Sequence, residues 1–198
     1  QLFIRRFFVG AVARIENPGS KIHSMLVLQG SQGGAKSDFC KLLCRNPKWF
    51  SDSLQDIENK DSLVLLRNRW IIEPAELERF TRGKSSDGAF KNFLTKTDDE
   101  YFERYGREMV DMPRNCVFMG TVNRVDFLKD PTGSRRFHII SDVNDINKPW
   151  VEETRDLLWA CAVYLYRTEP EPSAEELKML KSVSEVNALF EADSSWEI

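Results

Sequence analysis

The segment Leu26-Val27-Leu28-Gln29-Gly30-Ser31-Gln32-Gly33-Gly34-Ala35-Lys36-Ser37 has the residue types of a phosphate site. An apolar run leads into a glycine-rich turn, then Lys-Ser, then a helical stretch. Small residues let successive backbone N–H groups converge on phosphate oxygens where the helix begins. In that context Lys36 reaches the β- and γ-phosphates of a nucleotide, and the Ser37 hydroxyl ligates Mg²⁺. Gly30, Ser31, Gln32, Gly33, Gly34, Ala35, Lys36, Ser37 and Asp38 are the candidate nucleotide-binding residues, with ATP and Mg²⁺ as expected cofactors. The pattern G-x-x-x-x-G-K-[ST] asks for glycine at position 35, where this chain has alanine. Alanine costs little there if its backbone is helix-like and is strained if φ is positive. The plainer alternative is a glycine turn joining strand to helix, with Lys36 a solvated charge.

Hydrolysis needs an acidic strand end as well as a phosphate cradle. Arg69-Trp70-Ile71-Ile72-Glu73-Pro74-Ala75-Glu76-Leu77 offers one. Glu73 is placed to hold Mg²⁺ through water, and Glu76 to orient or deprotonate the attacking water; the reverse assignment fits the same spacing. A further apolar run leads to Thr121-Val122-Asn123. Open α/β sheets bind ligands at the carboxyl ends of their strands. Asn123 is therefore a candidate to sense the γ-phosphate and hold the lytic water, a turn-capping Asn being the plainer reading. Asp130-Pro131-Thr132-Gly133-Ser134-Arg135-Arg136-Phe137 then offers two adjacent arginines on a loop held by Pro and Gly. Such a pair suits neutralisation of transition-state charge, in ring ATPases across a subunit interface. A basic loop pairing with Asp130 or solvent is its bland counterpart.

These groups need a sheet to position them. Met25–Leu28, Trp70–Ile72, Cys116–Gly120 and Phe137–Ile140 are short, continuous apolar runs, as strands buried on both faces are. Helices are expected over Leu2–Ile15, stopped by Asn17-Pro18-Gly19, and over Lys36–Arg45, ended by Pro47. Asp61–Asn68 and Gly88–Thr97 read as two more. This alternation argues for an α/β fold with a mostly parallel sheet and flanking helices. The tail is different: Val151–Arg167 is helical, Glu169-Pro170-Glu171-Pro172 breaks the chain, and Ser173-Ala174-Glu175-Glu176 forms a capping box for another helix. The expected organisation is a core over residues 1–150 and a small helical appendage over 151–198. The chain opens at Gln1 inside an apolar segment, which suggests a fragment of a longer protein.

With 198 residues, 41% of them apolar, the chain can bury a full core. No apolar run approaches a membrane span and no secretory signal opens the chain, so no membrane partner is expected. Cys40, Cys44, Cys116 and Cys161 form no CxxC pair, and Cys40 and Cys44 are spaced as two small buried residues on a helix. A reducing cytoplasm is the expected compartment. The net charge of −3 is not the footprint of a protein that coats nucleic acid, so any DNA contact must come from a local patch or from subunits arranged around a pore.

Read in order, Gly30–Ser37, Trp70–Glu76 as Trp-h-h-Glu-x-x-Glu, Lys91, Tyr105-Gly106-Arg107, Pro113-Arg114-Asn115, Thr121–Asn123 and Gly133–Phe137 resemble the virulence-associated protein E family. These are ATPase domains of phage, plasmid and island primase–helicases, related to the superfamily-three helicases of the AAA+ class. The resemblance implies a P-loop NTPase fold and ATP hydrolysis with Mg²⁺. It also implies a homo-oligomeric ring translocating on single-stranded DNA, and a primase domain in the same full-length protein. An arginine finger is implied in Arg135 or Arg136, with Arg136 preferred beside Phe137. The chain departs from the family pattern at Ala35, at Asp38, where Ser or Thr usually follows Lys-Ser, and at Pro74 directly after Glu73. Asp98–Arg114 matches the family's hairpin, with Glu108–Met112 as one strand. In it Arg104, Arg107 and Arg114 are set against Glu103, Glu108 and Asp111, so a structural hairpin and a DNA-binding loop are evenly matched. The expected function is the motor domain of a DNA-replication helicase; a nucleotide-gated scaffold without unwinding activity is the alternative. A small-molecule kinase is disfavoured by the Thr-x-Asn strand and the Arg-Arg loop.

Overall fold

The computed structural model describes residues 2–57, 59–81, 84–102, 109–123, 134–169, 176 and 178–179. The chain enters through α1 (Leu2–Glu16) and strand β1 (Met25–Gln29), and passes the glycine loop into α2 (Lys36–Leu42). It continues through β2 (Phe50–Leu54), α3 (Lys60–Arg67), β3 (Ile71–Pro74), α4 (Leu77–Thr81) and α5 (Lys84–Thr95). A two-stranded antiparallel hairpin follows, β4 (Asp98–Phe102) against β5 (Met109–Pro113). Then come β6 (Val117–Val122), β7 (Phe137–Ile140) and α6 (Lys148–Thr168).

Five strands form one parallel sheet in the order β2-β3-β6-β1-β7. Alternation along each strand sends neighbouring residues to opposite faces. Met25 and Val27 of β1 join a cluster with Leu66, Leu77, Phe90, Phe93 and Phe118, under α3, α4 and α5. Leu26 and Leu28 join Phe7, Phe8, Cys40, Val151 and Ala162, under α1, α2 and α6. Helices thus cover both faces, which is why the strands read as unbroken apolar runs. Cys40 and Cys44 are both buried, as their spacing anticipates.

The strand expected at Phe137–Ile140 has those bounds; the other three shift by one or two residues. One strand has no counterpart in the sequence reading. β2 is Phe-Ser-Asp-Ser-Leu at the sheet edge, where Ser51 and Leu54 are buried and Asp52 and Ser53 are exposed, so it carries no apolar run. The described tail is α6, capped by the Asn147 side chain on Trp150 N and packed on α1 and α2. Its Trp159 meets Phe8 and Trp70 and donates its indole N–H to Leu43 O at 2.8 Å. Of the capping box, Ser173, Ala174 and Glu175 lie outside the described residues; Glu176 bonds Arg5.

The hairpin expected over Asp98–Arg114 is present, but Arg114 does not face Asp111. Its guanidinium is fully buried and grips Asp99, with Nε to Oδ2 at 2.8 Å and Nη2 to Oδ1 at 2.6 Å. It also donates to Phe93 O and lies over the Phe93 ring at 4.7 Å. A buried cation needs a paired anion, and β4 supplies one fifteen residues earlier. Lys91 is likewise buried against Asp87, one helical turn away. Glu103, Arg104, Tyr105, Gly106, Arg107 and Glu108 lie outside the described residues.

Candidate functional site

Because β6 lies between β1 and β3, the carboxyl ends of those three strands stand side by side. Each ends in polar groups, and the three sets meet. Lys36, at the start of α2, donates to Gly30 O at 2.9 Å, to Ser31 O at 2.6 Å and to Asn123 Oδ1 at 3.1 Å. Its ammonium is buried, and that burial lowers its pKa from the usual lysine value. Ser37 Oγ donates to Glu73 Oε1 at 2.7 Å, and Thr121 Oγ1 donates to the same oxygen at 2.6 Å. Four residues named from sequence (Lys36, Ser37, Glu73 and Asn123) are thus brought together.

Glu73 is only 5% exposed, and its Oε2 has no hydrogen-bond partner among the described residues. Burial raises its pKa, against the pull of the Thr121 and Ser37 hydroxyls; nearby Asp52 adds to the rise. A desolvated carboxylate with one oxygen unsatisfied is costly unless a cation completes it. The set is one carboxylate and two hydroxyls, all hard oxygen donors, so the residues present fit a divalent cation such as Mg²⁺.

The glycine loop is shaped by the chain that follows β7. Val143 N donates to Gln29 O at 2.9 Å, and Ser31 N donates to Asn144 Oδ1 at 2.9 Å. A Cβ at Gly30 would stand 2.1 Å from Val143 O, and one at Gly34 would stand 2.8 Å from Asn144 O. Side chains are excluded at both places by a neighbouring backbone. Gly33 has φ 86° with open space around its Cβ position, so there the backbone angle itself calls for glycine. Ala35 has φ 57° and ψ 25°, the left-handed region. Of the two conformations open to it, the strained one is adopted.

Two groups of named residues stand apart from this cluster. Glu76 sits on a turn at φ 50°, with its side chain exposed and paired to Arg79 at 3.4 Å. Asp38 is exposed and paired with Lys148 of α6 at 2.9 Å. Arg135 and Arg136 lie in a 3₁₀ turn that leads into β7, and Phe137 is in register with Met25, the first residue of β1. They are therefore at the amino ends of the strands, a strand length of roughly 15 Å from the glycine loop of their own chain. Gly133 and Asp130 of that loop lie outside the described residues.

Thr121 and the Val143-Asn144 segment complete the site without having been given a role in it from sequence. For Thr121 a signal existed. It lies two residues before Asn123, hence on the same face of β6, and a hydroxyl beside a candidate sensor at a strand's carboxyl end is worth marking. Val143 and Asn144 act mainly through backbone and have no such signature.

Among curated proteins there is no match to this chain. Among solved structures, one described as "The A form apo structure of NrS-1 C terminal region-CTR" superposes with a TM-score of 0.56 at 17% identity, over 94% of this chain and 46% of that one. A second, described as "The A form apo structure of NrS-1 C terminal region-CTR(305-718)", gives a TM-score of 0.47 at 16% identity, over 81% and 41%. The chain thus spans less than half the length of either, and at such identities the first likeness is one of fold. The virulence-associated protein E-like domain matches residues 1–189, nearly the whole length, and this chain belongs to that family.

Proposed function

We propose that this chain is a P-loop ATPase of the AAA+ kind, with residues 1–150 as its core and 151–198 as a helical appendage. It serves as the motor domain of a DNA-replication helicase or primase–helicase, working as a homo-oligomeric ring on single-stranded DNA. The observation that carries the reading is the convergence of Lys36, Ser37, Glu73 and Asn123 at the carboxyl ends of β1, β3 and β6. Three sequence motifs meet there through fold alone, in the crevice where open α/β sheets take ligands.

In this reading the backbone N–H groups of Gly30 to Ala35 cradle phosphate oxygens, and Lys36 turns its ammonium from the loop carbonyls to the β- and γ-phosphates. Ser37 and Glu73 would hold Mg²⁺, which neutralises phosphate charge when bound. Thr121 keeps Glu73 oriented. Asn123, already at Lys36, holds the lytic water near the γ-phosphate. Glu76 takes that water's proton once it leaves Arg79, an exposed pair that costs little to break. Arg135 and Arg136 cannot serve their own loop from the amino ends of the strands, so Arg136 acts as a finger on a neighbour's γ-phosphate.

The test follows from that geometry. Lys36→Ala should abolish ATP binding. Arg136→Ala should bind ATP normally yet lose turnover by about a thousandfold, as such fingers contribute. Mixing the two chains should restore hydrolysis, and only at concentrations where subunits associate. An inactive mixture of folded, associated parents would sink the trans finger. Hydrolysis that does not rise with single-stranded DNA would leave the nucleotide-gated scaffold instead.

A further inference from the structure

β2 and β3 start in step and then part. Phe50 lies opposite Ile71 and Ser51 opposite Ile72, but Leu54 lies opposite Pro74, so Asp52 and Ser53 together span the place of Glu73 alone. Two residues against one make a β-bulge, and the packing records it. Phe50 packs with Ile71 in the cluster under α1, α2 and α6. Strict alternation would return Leu54 to that face, yet Leu54 joins Ile72 in the opposite cluster. Asp52 precedes the change of phase. It therefore shares the face of Glu73, the one that α2 covers and from which Ser37 reaches Glu73 Oε1. Within the bulge Ser53 N donates to Ser51 Oγ at 3.1 Å, and Ser53 Oγ donates to Asp52 Oδ1 at 3.4 Å.

A bulge and an exposed charge on an edge strand have an ordinary use, since both discourage pairing with another chain. A charge of either sign serves that purpose, and lysine is the usual choice. Here the charge is an acid set beside a buried acid. Glu73 has its pKa raised first by burial and further by Asp52, and its Oε2 is left without a hydrogen-bond partner among the described residues. Two like charges side by side oppose each other unless a cation joins them. We infer that Asp52 is a second carboxylate of the cation site, a positioning residue that accepts hydrogen bonds from the water of a divalent cation such as Mg²⁺, while Glu73 and Ser37 supply the protein oxygens. This role rests on the reading of Ser37 and Glu73 given above. It suits the chemistry of Mg²⁺, which gives up water reluctantly and is held through one or two carboxylates with several waters kept. Buried Glu73 offers one free oxygen; exposed Asp52 stays hydrated and can take the hydrogen bonds of those waters. Two carboxylates also match the charge of the ion, so the site holds it without nucleotide.

Mn²⁺ serves as the probe, because electron paramagnetic resonance counts the free ion during a titration of the nucleotide-free chain. Asp52→Asn should weaken Mn²⁺ binding about tenfold, as the loss of a group around a metal's ligands does. Asp52→Glu should restore most of that affinity. Glu100→Gln, which removes the same charge from an exposed position on the hairpin, should leave it unchanged. ATP affinity in EDTA and the urea midpoint should be the same in Asp52→Asn as in the wild type, which separates a metal defect from a fold defect. In hydrolysis, the Mg²⁺ concentration for half-maximal turnover should rise about tenfold in Asp52→Asn, with the maximum largely kept. Turnover that saturating Mg²⁺ does not restore overturns the assignment, as does a wild type that takes up no Mn²⁺. Equal Mn²⁺ binding by Asp52→Asn and the wild type overturns it too, and leaves the functional reading standing where ATP still binds. A wild type that binds neither Mn²⁺ nor ATP defeats both.

Discussion

At the carboxyl ends of β1, β3 and β6 the polar groups hold one another: Lys36 lies on two carbonyls and Asn123, and two hydroxyls share one oxygen of Glu73. One atom is left over, Glu73 Oε2. At the amino ends of the same sheet the pattern splits. Arg114 is closed around Asp99, while Arg135, Arg136, Lys21 and His23 face a common hollow without an acid among its described lining. Arg114 and Asp99 are sealed against each other, whereas Glu73 Oε2, Lys21, His23, Arg135 and Arg136 have no hydrogen-bond or ion-pair partner among the described residues. The distinction is open to attack at both ends.

The sealed pair should yield the largest effect. Arg114→Ala strands Asp99 in the core and should cost about 3–5 kcal/mol, read as a fall in the urea midpoint. Arg114→Met together with Asp99→Leu should recover most of that loss, because the pair serves packing rather than chemistry. If the double variant stays as unstable as the single one, Arg114 is doing more than neutralising Asp99.

Next comes His138, whose pKa is lowered to about 4 by burial, with Arg6 adding to it. Its folded pKa lies below the unfolded value, so its share of stability is present above about pH 6.5 and is lost as pH falls toward 4. That window corresponds to about 3 kcal/mol. Urea midpoints at neutral and acid pH should show the slope, and His138→Leu should flatten it.

The orphan at Glu73 gives a smaller effect of opposite sign. Its pKa is raised, so the folded state loses stability as pH climbs from the ordinary carboxylate value through the raised one. At neutral pH Glu73→Gln should therefore stabilise the protein by about 1 kcal/mol, a Tm rise of roughly 2–4 °C. It should also abolish any further Tm gain from added Mg²⁺, which the wild type should show. A wild type indifferent to Mg²⁺ would mean that the leftover oxygen is a cost without a use.

Smallest is Ala35→Gly. Removing a Cβ from the left-handed region relieves about 1–2 kcal/mol, and glycine's unfolded-state entropy takes back roughly 0.5–1 kcal/mol. A net gain of about 0.5–1 kcal/mol, with tighter nucleotide binding, is expected by thermal melting and titration.

Much of this is legible in the sequence. The apolar strands were visible because helices cover both faces of the sheet, and the glycine loop because its spacing is local. β2 was not, since an edge strand such as Phe-Ser-Asp-Ser-Leu buries too little to leave an apolar run. Glu73 and Glu76 look alike in the sequence; the turn at Glu76 (φ 50°) sends one outward while β3 buries the other. Arg114 looked like a hairpin surface charge because its partner Asp99 lies fifteen residues away, across a ladder that only the pairing of β4 with β5 sets.

The Val143-Asn144 segment, introduced as a steric wall, is also a mechanical linkage. It is hydrogen-bonded to Gln29 and Ser31 on one side, and three residues later Asn147 caps the first turn of α6. That helix has 21 residues, about 30 Å of rigid rod. A tilt of about 5° at its Asn147 end sweeps the far end through roughly 2.6 Å. The glycine loop is thus joined to the Asn147 end of that rod, and a shift of the loop would be carried along α6 toward Thr168.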